Sequence, residues 1–368
     1  MRLAGRAGLA AWVAFSTFFA PGAASGYEAH WYHDIDKRSA WQPDLDARLK
    51  EVEARFAGDI GVYVQDLASG EAYAWRADRP WYLASLIKVP VAAEVLGAGV
   101  PPQERLTLAE SDYVDGAGPT NWHDPGTPLS VSYLLEHMIS VSDNTATDIL
   151  IDRVGLNNVN QRARAMVAAS GGDPEALGPI TRLVEVRQGV YGQLHPDARS
   201  LGGMDFIALR QSPVSQRPQA LAKRLDVSPQ RLHQPDYHHA FDAYHATGEN
   251  TGTLKAFGDV LATLYHGAMP DLQGTPRAKL LALMASTTSG EKRLKQGLGQ
   301  QVHFAHKTGT QDRRSCDAGL AAHDAKPGSA WAVVACTQGP DAVSQHEQAL
   351  AEVGQALRRS GALALEAW

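Results

Sequence analysis

The sequence predicts an α/β protein in which an α/β lobe is built from both ends of the chain and a mostly helical lobe is inserted between them. Strand-like apolar runs cluster towards the two ends, whereas apolar residues at helical spacing dominate the middle. Of the 368 residues, 44% are hydrophobic and only 20% are charged, which is enough apolar material for a large buried core. We assign residues 26–90 and 254–368 to the α/β lobe and residues 91–253 to the helical lobe.

The individual elements follow from the spacing of apolar residues. Leu45, Leu49, Val52 and Phe56 share one helical stripe and predict a helix over Asp44–Phe56. The same spacing predicts further helices over Leu86–Leu96, Val131–Ile139, Thr145–Val154, Lys255–His266 and Ala278–Met284, and a last helix around Val343–Leu357. Short apolar runs bounded by turn residues predict strands near Gly61–Asp66, Glu71–Arg76, Val302–Ala305, Gly319–Ala322 and Ala330–Cys336.

The first 25 residues have the pattern of a secretory signal peptide. Arg2 and Arg6 form a short positive region, residues 9–19 form an apolar run too short to span a bilayer, and residues 21–25 include small residues suited to cleavage. We therefore expect a secreted or periplasmic protein, with an uncleaved membrane anchor as the alternative. No later stretch approaches the roughly 20 apolar residues of a membrane span, so no stable span is expected after cleavage.

The charge balance argues against a nucleic-acid partner. The chain has 34 Lys and Arg residues against 40 Asp and Glu residues, and a formal net charge of −6. A surface that coats nucleic acid needs the opposite excess. We expect a monomer, and no exposed apolar stripe that would fix the oligomeric state is legible in the sequence.

The two cysteines, Cys316 and Cys336, lie in two short apolar runs separated by a loop over residues 323–329. This pattern predicts a hairpin. With the centre of the loop near Lys326, the two cysteines fall opposite one another in an antiparallel pair. An oxidising compartment would permit a disulfide there, and two buried free thiols are the alternative.

Three short motifs carry the chemistry. The first is Ser85-Leu86-Ile87-Lys88, at the start of a predicted helix. A serine three residues before a lysine shares its helical face, so the amine can reach the hydroxyl. The helix N-terminus also offers backbone N–H groups and the positive end of the helix dipole to a developing oxyanion. A second match, Ser289-Gly290-Glu291-Lys292, falls in a glycine-containing turn and is interpreted as a chance occurrence.

The second motif, Ser142-Asp143-Asn144, lies between two predicted helices, where such residues are also ordinary helix caps. The third, Lys307-Thr308-Gly309-Thr310, follows the apolar run His303–His306. There a glycine lets a ligand lie close to the strand backbone, and a lysine supplies a fixed positive charge. Each motif is weak alone, and their order along the chain gives them weight.

In this order the three motifs match the serine acyl-transfer site of class A β-lactamases and penicillin-binding proteins. The sequence resembles the class A β-lactamase family in particular, over roughly residues 44–180 and 250–360. The resemblance extends to Met138-Ile139 before the second motif and to Phe304-Ala305-His306 before the third. It implies a five-stranded antiparallel sheet flanked by helices, beside a mostly helical lobe, and it implies no cofactor and no metal.

The resemblance also implies a role for each motif residue. Ser85 would be the acylated nucleophile, and Lys88 would activate it, which requires a lowered lysine pKa from burial beside a second cation such as Lys307. Ser142 would pass the proton to the leaving nitrogen, and Asn144 would hold both Lys88 and the amide carbonyl of the substrate.

The third motif would bind the other end of the substrate. Lys307 and Thr308 would hold its carboxylate, with Gly309 allowing close approach. The backbone N–H groups of Ser85 and Thr310 would form the oxyanion hole. The substrate would be a small β-lactam or a peptidoglycan-like peptide.

The sequence departs from the family where the deacylating glutamate is expected. The matching stretch begins at Thr181-Arg182-Leu183, and an ungapped alignment puts Arg187 at the position of the glutamate. Glu185 is the nearest carboxylate and is our candidate for the base, with Glu175 and Glu249 as further candidates.

The same region is far longer than the family's short Ω-shaped loop, since about 70 residues, 181–250, stand in its place. Tyr191–Arg210 and Pro218–Leu232 could form helices of a lid or small subdomain, and an inert surface insertion is the alternative. The insertion contains a group of histidines that matches no known zinc spacing and is interpreted as a solvated patch rather than a metal site: His233, His238, His239 and His245.

Three functions remain open at this point. The chain is a β-lactamase whose base is Glu185 or comes from the insertion, or a serine hydrolase or acyltransferase acting on a peptidoglycan peptide or an ester. The third alternative is a binding or sensing protein that is acylated once or not at all. The acylating set is complete in the sequence, whereas rapid release of the acyl group needs a positioned general base.

Overall fold

A computed structural model describes residues 39–116, 118–323 and 328–363 of the chain. The expected signal peptide, residues 1–25, lies outside the described residues, as do residues 324–327 of the expected hairpin loop.

Thirteen α-helices and nine β-strands form within the described residues. The helices are α1 Trp41–Arg55, α2 Lys88–Gly97, α3 Val131–Ser140, α4 Asn144–Val154, α5 Leu156–Ala169, α6 Leu183–Leu194, α7 Gly203–Arg210, α8 Arg217–Arg224, α9 Tyr237–His245, α10 Leu254–His266, α11 Thr275–Ala285, α12 Leu294–Leu298 and α13 Val343–Ser360. The strands are β1 Asp59–Asp66, β2 Ala72–Trp75, β3 Trp81–Tyr82, β4 Arg105–Thr107, β5 Pro128–Ser130, β6 Thr251–Gly252, β7 Val302–Gln311, β8 Arg314–His323 and β9 Ala330–Gln338.

The chain divides into two compact units. The sheet unit comprises the described residues up to Leu86, together with Ala163–Leu177 and the residues from Gly252 onward. The helical unit comprises Ile87–Arg162 and Gly178–Thr251. Within the described part of the chain, we find no helix that combines the length and the apolar character needed to cross a membrane.

The sheet unit is built on a five-stranded antiparallel sheet in the order β2-β1-β9-β8-β7. Leu49 of α1 and Leu350 of α13 share a core with Val333 of β9, and α10 packs on β1 and β9. Every residue of β9 except the last is buried. Because successive strand residues point to opposite faces, helices must cover both faces of this strand. The predicted fold, an α/β protein with such a sheet and a helical part, is confirmed.

The insertion in the helical unit is folded, and its two ends are held together. Asn250 is buried; its Oδ1 accepts a hydrogen bond from the Thr181 N–H at 3.1 Å, and its Nδ2 donates to Thr181 Oγ1 at 2.8 Å. Between these ends, α6 packs against α9 so closely that a Cβ at Gly189 would come within 2.5 Å of the Tyr244 ring. The predicted stretch Tyr191–Arg210 does contain helical structure: α6 ends at Leu194, a 3₁₀ turn covers Pro196–Ser200, and α7 runs over Gly203–Arg210.

The third motif lies inside β7, whereas the sequence predicted a strand that ends before it. The strand runs on to Gln311 because β8 pairs with it along its whole length, including Lys307 opposite Ala318 and Gly309 opposite Cys316. Short apolar runs therefore mark only the start of a strand whose later residues are polar but buried.

The two cysteines are bonded. Cys316 and Cys336 face each other in the β8–β9 register, both are buried, and they form a disulfide. This settles the alternative that the sequence left open.

Removing this crosslink is expected to lower the free energy of unfolding by about 3 kcal/mol, because the bond closes a loop between residues that are 20 apart in sequence. The measurement is urea denaturation of the Cys316→Ala/Cys336→Ala variant beside the oxidised and reduced wild-type protein. The reduced protein and the variant should agree, and a loss below about 1 kcal/mol in both would contradict the expectation.

Candidate functional site

Ser85 lies in a 3₁₀ turn, Ala84–Ile87, that leads directly into α2. Ala84 has a φ of 49°, in the left-handed region that side chains rarely adopt, and the Leu86 N–H donates to the Leu83 carbonyl at 3.1 Å. The Ser85 side chain is partly exposed, and Lys88 is the first residue of α2. The predicted helix N-terminus after the serine is therefore present, with a strained turn in front of it.

Within the sheet unit, β7 runs directly against this turn. A Cβ placed on Gly309 would lie 2.6 Å from the Leu83 carbonyl oxygen, 3.0 Å from the Ala84 Cβ and 3.3 Å from the Ser85 backbone nitrogen. Only glycine fits so close an approach. The first and third motifs therefore meet at Ser85 and Gly309.

Lys307 and Thr308, the polar residues of β7 beside Gly309, are held by hydrogen bonds to other residues of the sheet unit. Lys307 is fully buried, and its Nζ donates to the Thr308 carbonyl at 3.0 Å. The Thr308 and Ser289 hydroxyls are 2.6 Å apart, and a Cβ on Gly290 would lie 2.4 Å from Thr308 Cγ2. Ser289-Gly290, which the sequence analysis set aside as a chance match, thus forms the support of Thr308.

Arg293 fixes the end of the same strand. Its guanidinium is buried and donates to the carbonyls of Gly309 at 3.0 Å and Cys316 at 3.1 Å, and to Thr310 Oγ1 at 2.7 Å. The planar fork of an arginine suits such a set of fixed acceptors. Arg293 thereby sets the position of Thr310.

In the helical unit, Lys88 is fully buried and hydrogen-bonded to the second motif. Its Nζ donates to Asn144 Oδ1 and to the Ser142 carbonyl, both at 2.7 Å, and lies 3.2 Å from Ser142 Oγ. The pKa of Lys88 is lowered from 10.5 to about 7. Burial is the main cause, the carboxylates of Asp143 and Asp148 oppose it, and the guanidinium of Arg187 adds a smaller lowering. An amine with this pKa is neutral in part of the population near pH 7 and can accept a proton.

The second motif owes its shape to a helix cap and to a close contact with Gly118. Ser142 has a φ of 66°, and the carboxylate of Asp143 caps α4 by accepting from the Ala146 N–H at 2.9 Å. Its other oxygen accepts from the Thr120 N–H at 2.9 Å. A Cβ on Gly118 would lie 2.1 Å from that carboxylate, so only glycine fits there.

Asn144 is held by the segment that contains Asp115 and Gly116. Its Nδ2 donates to the Asp115 carbonyl at 2.7 Å while its Oδ1 accepts from Lys88. A Cβ on Gly116 would lie 2.2 Å from Asn144 Nδ2. Asp115 therefore sets the position of the amide that holds Lys88.

The insertion contributes Arg187 to this arrangement. Arg187 of α6 forms a buried ion pair with Asp115 through its Nε and Oδ1, and Arg210 of α7 approaches the other carboxylate oxygen at 3.4 Å. The cation that acts on Lys88 is Arg187, where the sequence analysis expected a residue such as Lys307.

Asp148 anchors the N-terminus of α6. Its two oxygens accept from the N–H groups of Leu183 at 2.7 Å and Val184 at 2.9 Å. Burial raises the pKa of Asp148 to about 7, although these two hydrogen bonds lower it. A carboxylate at a helix N-terminus is a favourable cap, and this one fixes the helix from which Arg187 projects.

Glu185 is not brought to Lys88. Its oxygens accept from the Arg182 N–H at 2.8 Å and from the Arg182 guanidinium at 3.2 Å, in the first turn of α6. Helix residues two apart do not share a face, so Glu185 and Arg187 point to different sides. Glu175 is exposed in the sheet unit, and Glu249 lies in the turn after α9. Within the described part of the helical unit, neither Glu185 nor Glu249 has a hydrogen bond or ion pair with Lys88, Ser142 or Asn144.

The histidines of the insertion do not form a metal site in the described residues, where we find no group of three or more His, Cys, Asp or Glu side chains arranged to hold a metal ion. His239 pairs instead with Asp236 at 2.9 Å, beside the N-terminus of α9.

The comparisons with known proteins agree with this geometry. Residues 44–172 and 205–360, well over half of the chain, match the model of the beta-lactamase enzyme family. A β-lactamase of Amycolatopsis lactamdurans is 28% identical over 114 residues, which are 31% of this chain and 38% of that protein. The chain thus spans about two fifths of the length of the curated relatives it matches.

Two solved structures share the fold. A β-lactamase from Sphaerobacter thermophilus has a TM-score of 0.61 at 20% identity, with 87% of this chain and 98% of that chain covered. PBP-A has a TM-score of 0.60 at 20% identity, with 86% and 94% covered.

Proposed function

Because the chain belongs to the beta-lactamase enzyme family, we propose that this serine β-lactamase-like hydrolase opens the β-lactam amide through an acyl-enzyme on Ser85. The observation that carries the proposal is the state of Lys88. This lysine is buried, its pKa is about 7, and its amine is hydrogen-bonded to both Ser142 and Asn144. A lysine in that state, three residues after a serine at a helix start, has the properties needed to activate a hydroxyl.

In the proposed acylation step, Lys88 takes the proton of the Ser85 hydroxyl while Ser85 Oγ forms a bond to the lactam carbonyl carbon. The C–N bond of the lactam then breaks, and the ring nitrogen receives a proton through Ser142. The second N–H of the Asn144 amide, whose other contacts are Lys88 and Asp115, holds the acylamide carbonyl of the substrate.

In the same proposal, β7 supplies the remaining contacts to the substrate. Lys307 and Thr308 hold the substrate carboxylate, and the backbone N–H groups of Ser85 and Thr310 stabilise the oxyanion. The 3.3 Å approach that a Gly309 Cβ would make to the Ser85 nitrogen supports this arrangement, since it brings β7 to the nucleophile.

We further propose that the acyl-enzyme is released slowly. Arg187 stands at the position of the deacylating glutamate and is held in an ion pair with Asp115, and Glu185 is bonded to Arg182. A guanidinium cannot activate water as a base. This observation favours a second candidate function, in which the acyl group of a peptidoglycan-like peptide or an ester is passed to an acceptor other than water.

Export belongs to the same proposal. The signal-peptide pattern of residues 1–25 supports it, and so does the buried Cys316–Cys336 disulfide, because such bonds form and persist in oxidising compartments.

The test is intact-protein mass spectrometry of the mature protein after exposure to benzylpenicillin, followed over time. We expect one adduct of the mass of the penicillin, formed within minutes and lasting for hours, and none in the Ser85→Ala variant. Ser344→Ala, which removes an exposed hydroxyl of α13, is the matched control and should keep the adduct. An adduct that decays in seconds would identify a rapid β-lactamase, and the absence of any adduct in folded protein would overturn the proposal.

A further inference from the structure

Two arginines of the insertion converge on one carboxylate. Arg187 pairs with Asp115 Oδ1, and Arg210 lies 3.4 Å from Asp115 Oδ2. The three side chains carry two positive charges and one negative charge. Asp115 and Arg187 are buried, whereas the Arg210 side chain is 51% exposed.

Asp115 links this cluster to Asn144 of the helical unit. The backbone carbonyl of Asp115 accepts from Asn144, the residue proposed to hold the acylamide carbonyl of the substrate. The charge of Arg187 also reaches Lys88, whose pKa it lowers. In the proposed complex the acyl group begins beside Asn144, the residue that the Asp115 carbonyl holds.

Packing of the insertion holds Arg210 in place. Gly203, the first residue of α7, lies so close to Tyr113 that a Cβ there would come within 1.5 Å of the Tyr113 carbonyl oxygen. Tyr113 is two residues before Asp115, and Arg210 is the last residue of α7. A rigid eight-residue helix thus connects this close contact to the arginine.

Arg210 has donors to offer a ligand. Its contact with Asp115 uses one terminal nitrogen at a long 3.4 Å, and among the described residues its other guanidinium nitrogens have no partner. Arginine prefers a bidentate carboxylate, with two parallel N–H···O bonds of 2.7–2.9 Å. The Asp115 contact does not meet that preference, so a second carboxylate can be bound without breaking the Arg187–Asp115 pair.

We propose that Arg210, which lies beside the Arg187–Asp115 ion pair and shares its carboxylate, is a subsite for a carboxylate on the acyl group of the substrate. This carboxylate is a second one, distinct from the carboxylate assigned to Lys307 and Thr308. The inference rests on the proposed function and names its substrate class: acyl donors with an acidic acyl group.

The test compares two penicillins that differ by one carboxylate, benzylpenicillin and α-carboxybenzylpenicillin, by the rate of adduct formation on Ser85 in intact-mass measurements. In the wild-type protein the carboxylated compound should acylate about tenfold faster at low salt, and 0.5 M NaCl should reduce this preference. Arg210→Gln should lower the ratio of the two rates about tenfold. Arg224→Gln, which removes an equally exposed guanidinium of the insertion paired with Asp205, should leave the ratio unchanged.

The outcomes separate the two proposals. A wild-type ratio of one or less, or a ratio that Arg210→Gln leaves unchanged, would overturn the subsite alone, since Ser85 would still be acylated. Absence of an adduct with both penicillins would overturn the proposed function together with the subsite that rests on it.

Discussion

Replacing Lys88 by methionine is expected to slow the acylation of Ser85 by penicillin by about 10²–10⁴-fold, the range for loss of a general base. Methionine fills the buried space of the lysine stem but cannot take a proton, and it leaves the acceptors on Asn144 and Ser142 without the amine. The measurement is the rate of adduct formation by intact mass. Lys292→Met, at an exposed lysine in the other Ser-x-x-Lys match, is the matched control and should acylate at the wild-type rate.

The pH dependence of the same reaction follows from the lowered pKa. Below about pH 7 Lys88 is protonated and cannot accept the proton of Ser85, so the acylation rate should rise through pH 7 and then level off.

The stability of the fold should also depend on this lysine. In the unfolded chain the lysine titrates near 10.5, so between pH 7 and 10.5 the unfolded state binds more protons than the folded state, and the contribution of this group to the free energy of unfolding increases as the pH rises. The Lys88→Met variant should lose both dependences. A rate that is flat from pH 5 to 9 in the wild-type protein would remove Lys88 from this role.

The parts of the site that could be predicted from the sequence are those that local geometry determines. Ser85 and Lys88 lie at a helix start, as their spacing predicts, and the approach of the Lys88 amine to the Ser85 hydroxyl stays a prediction. Gly309 is conspicuous because a glycine within a strand indicates a close approach, here to Ser85. Likewise, the opposition of Cys316 and Cys336 follows from the centre of one hairpin loop.

The parts that could not be predicted depend on contacts between distant residues. Arg187 and Asp115 are 72 residues apart and Asp148 and Leu183 are 35 apart, and no period or local motif records either pairing. The contact between Ser289 and Thr308 could not be predicted for the same reason, because the two residues lie on different elements.

Nearness in sequence is a weak guide to which carboxylate could act as the base, and Glu185 illustrates this. An ungapped alignment places Arg187 at the position of the family's glutamate, and proximity in sequence favours Glu185 as the nearest carboxylate. On a helix, a shift of two residues turns the side chain by about 200°. Glu185 therefore accepts a hydrogen bond from the Arg182 N–H at the start of its own helix. Arg187 points to another side of the helix, where it pairs with Asp115.

Asp115→Asn is expected to lower the free energy of unfolding by about 3–5 kcal/mol, because it leaves the buried guanidinium of Arg187 without its counter-charge. Arg187→Met should cost less, since Asp115 keeps the contact with Arg210. The double variant should recover most of the loss, because replacing both members of a buried ion pair leaves no unpaired charge. Arg210→Gln, at a half-exposed side chain, should cost less than about 1 kcal/mol. Urea denaturation of the four variants measures these differences.

The same double-mutant cycle separates a structural role of the pair from its effect on catalysis. If the pair only stabilises the fold, the double variant should regain the acylation rate along with the stability. If Arg187 also acts on Lys88 through its charge, the double variant should be stable but should show the rise of its acylation rate at a higher pH, because a cation that lowers the lysine pKa has been removed. Stability changes that simply add, with no recovery in the double variant, would show that Asp115 and Arg187 are not energetically coupled and would remove the pair as the support of Asn144.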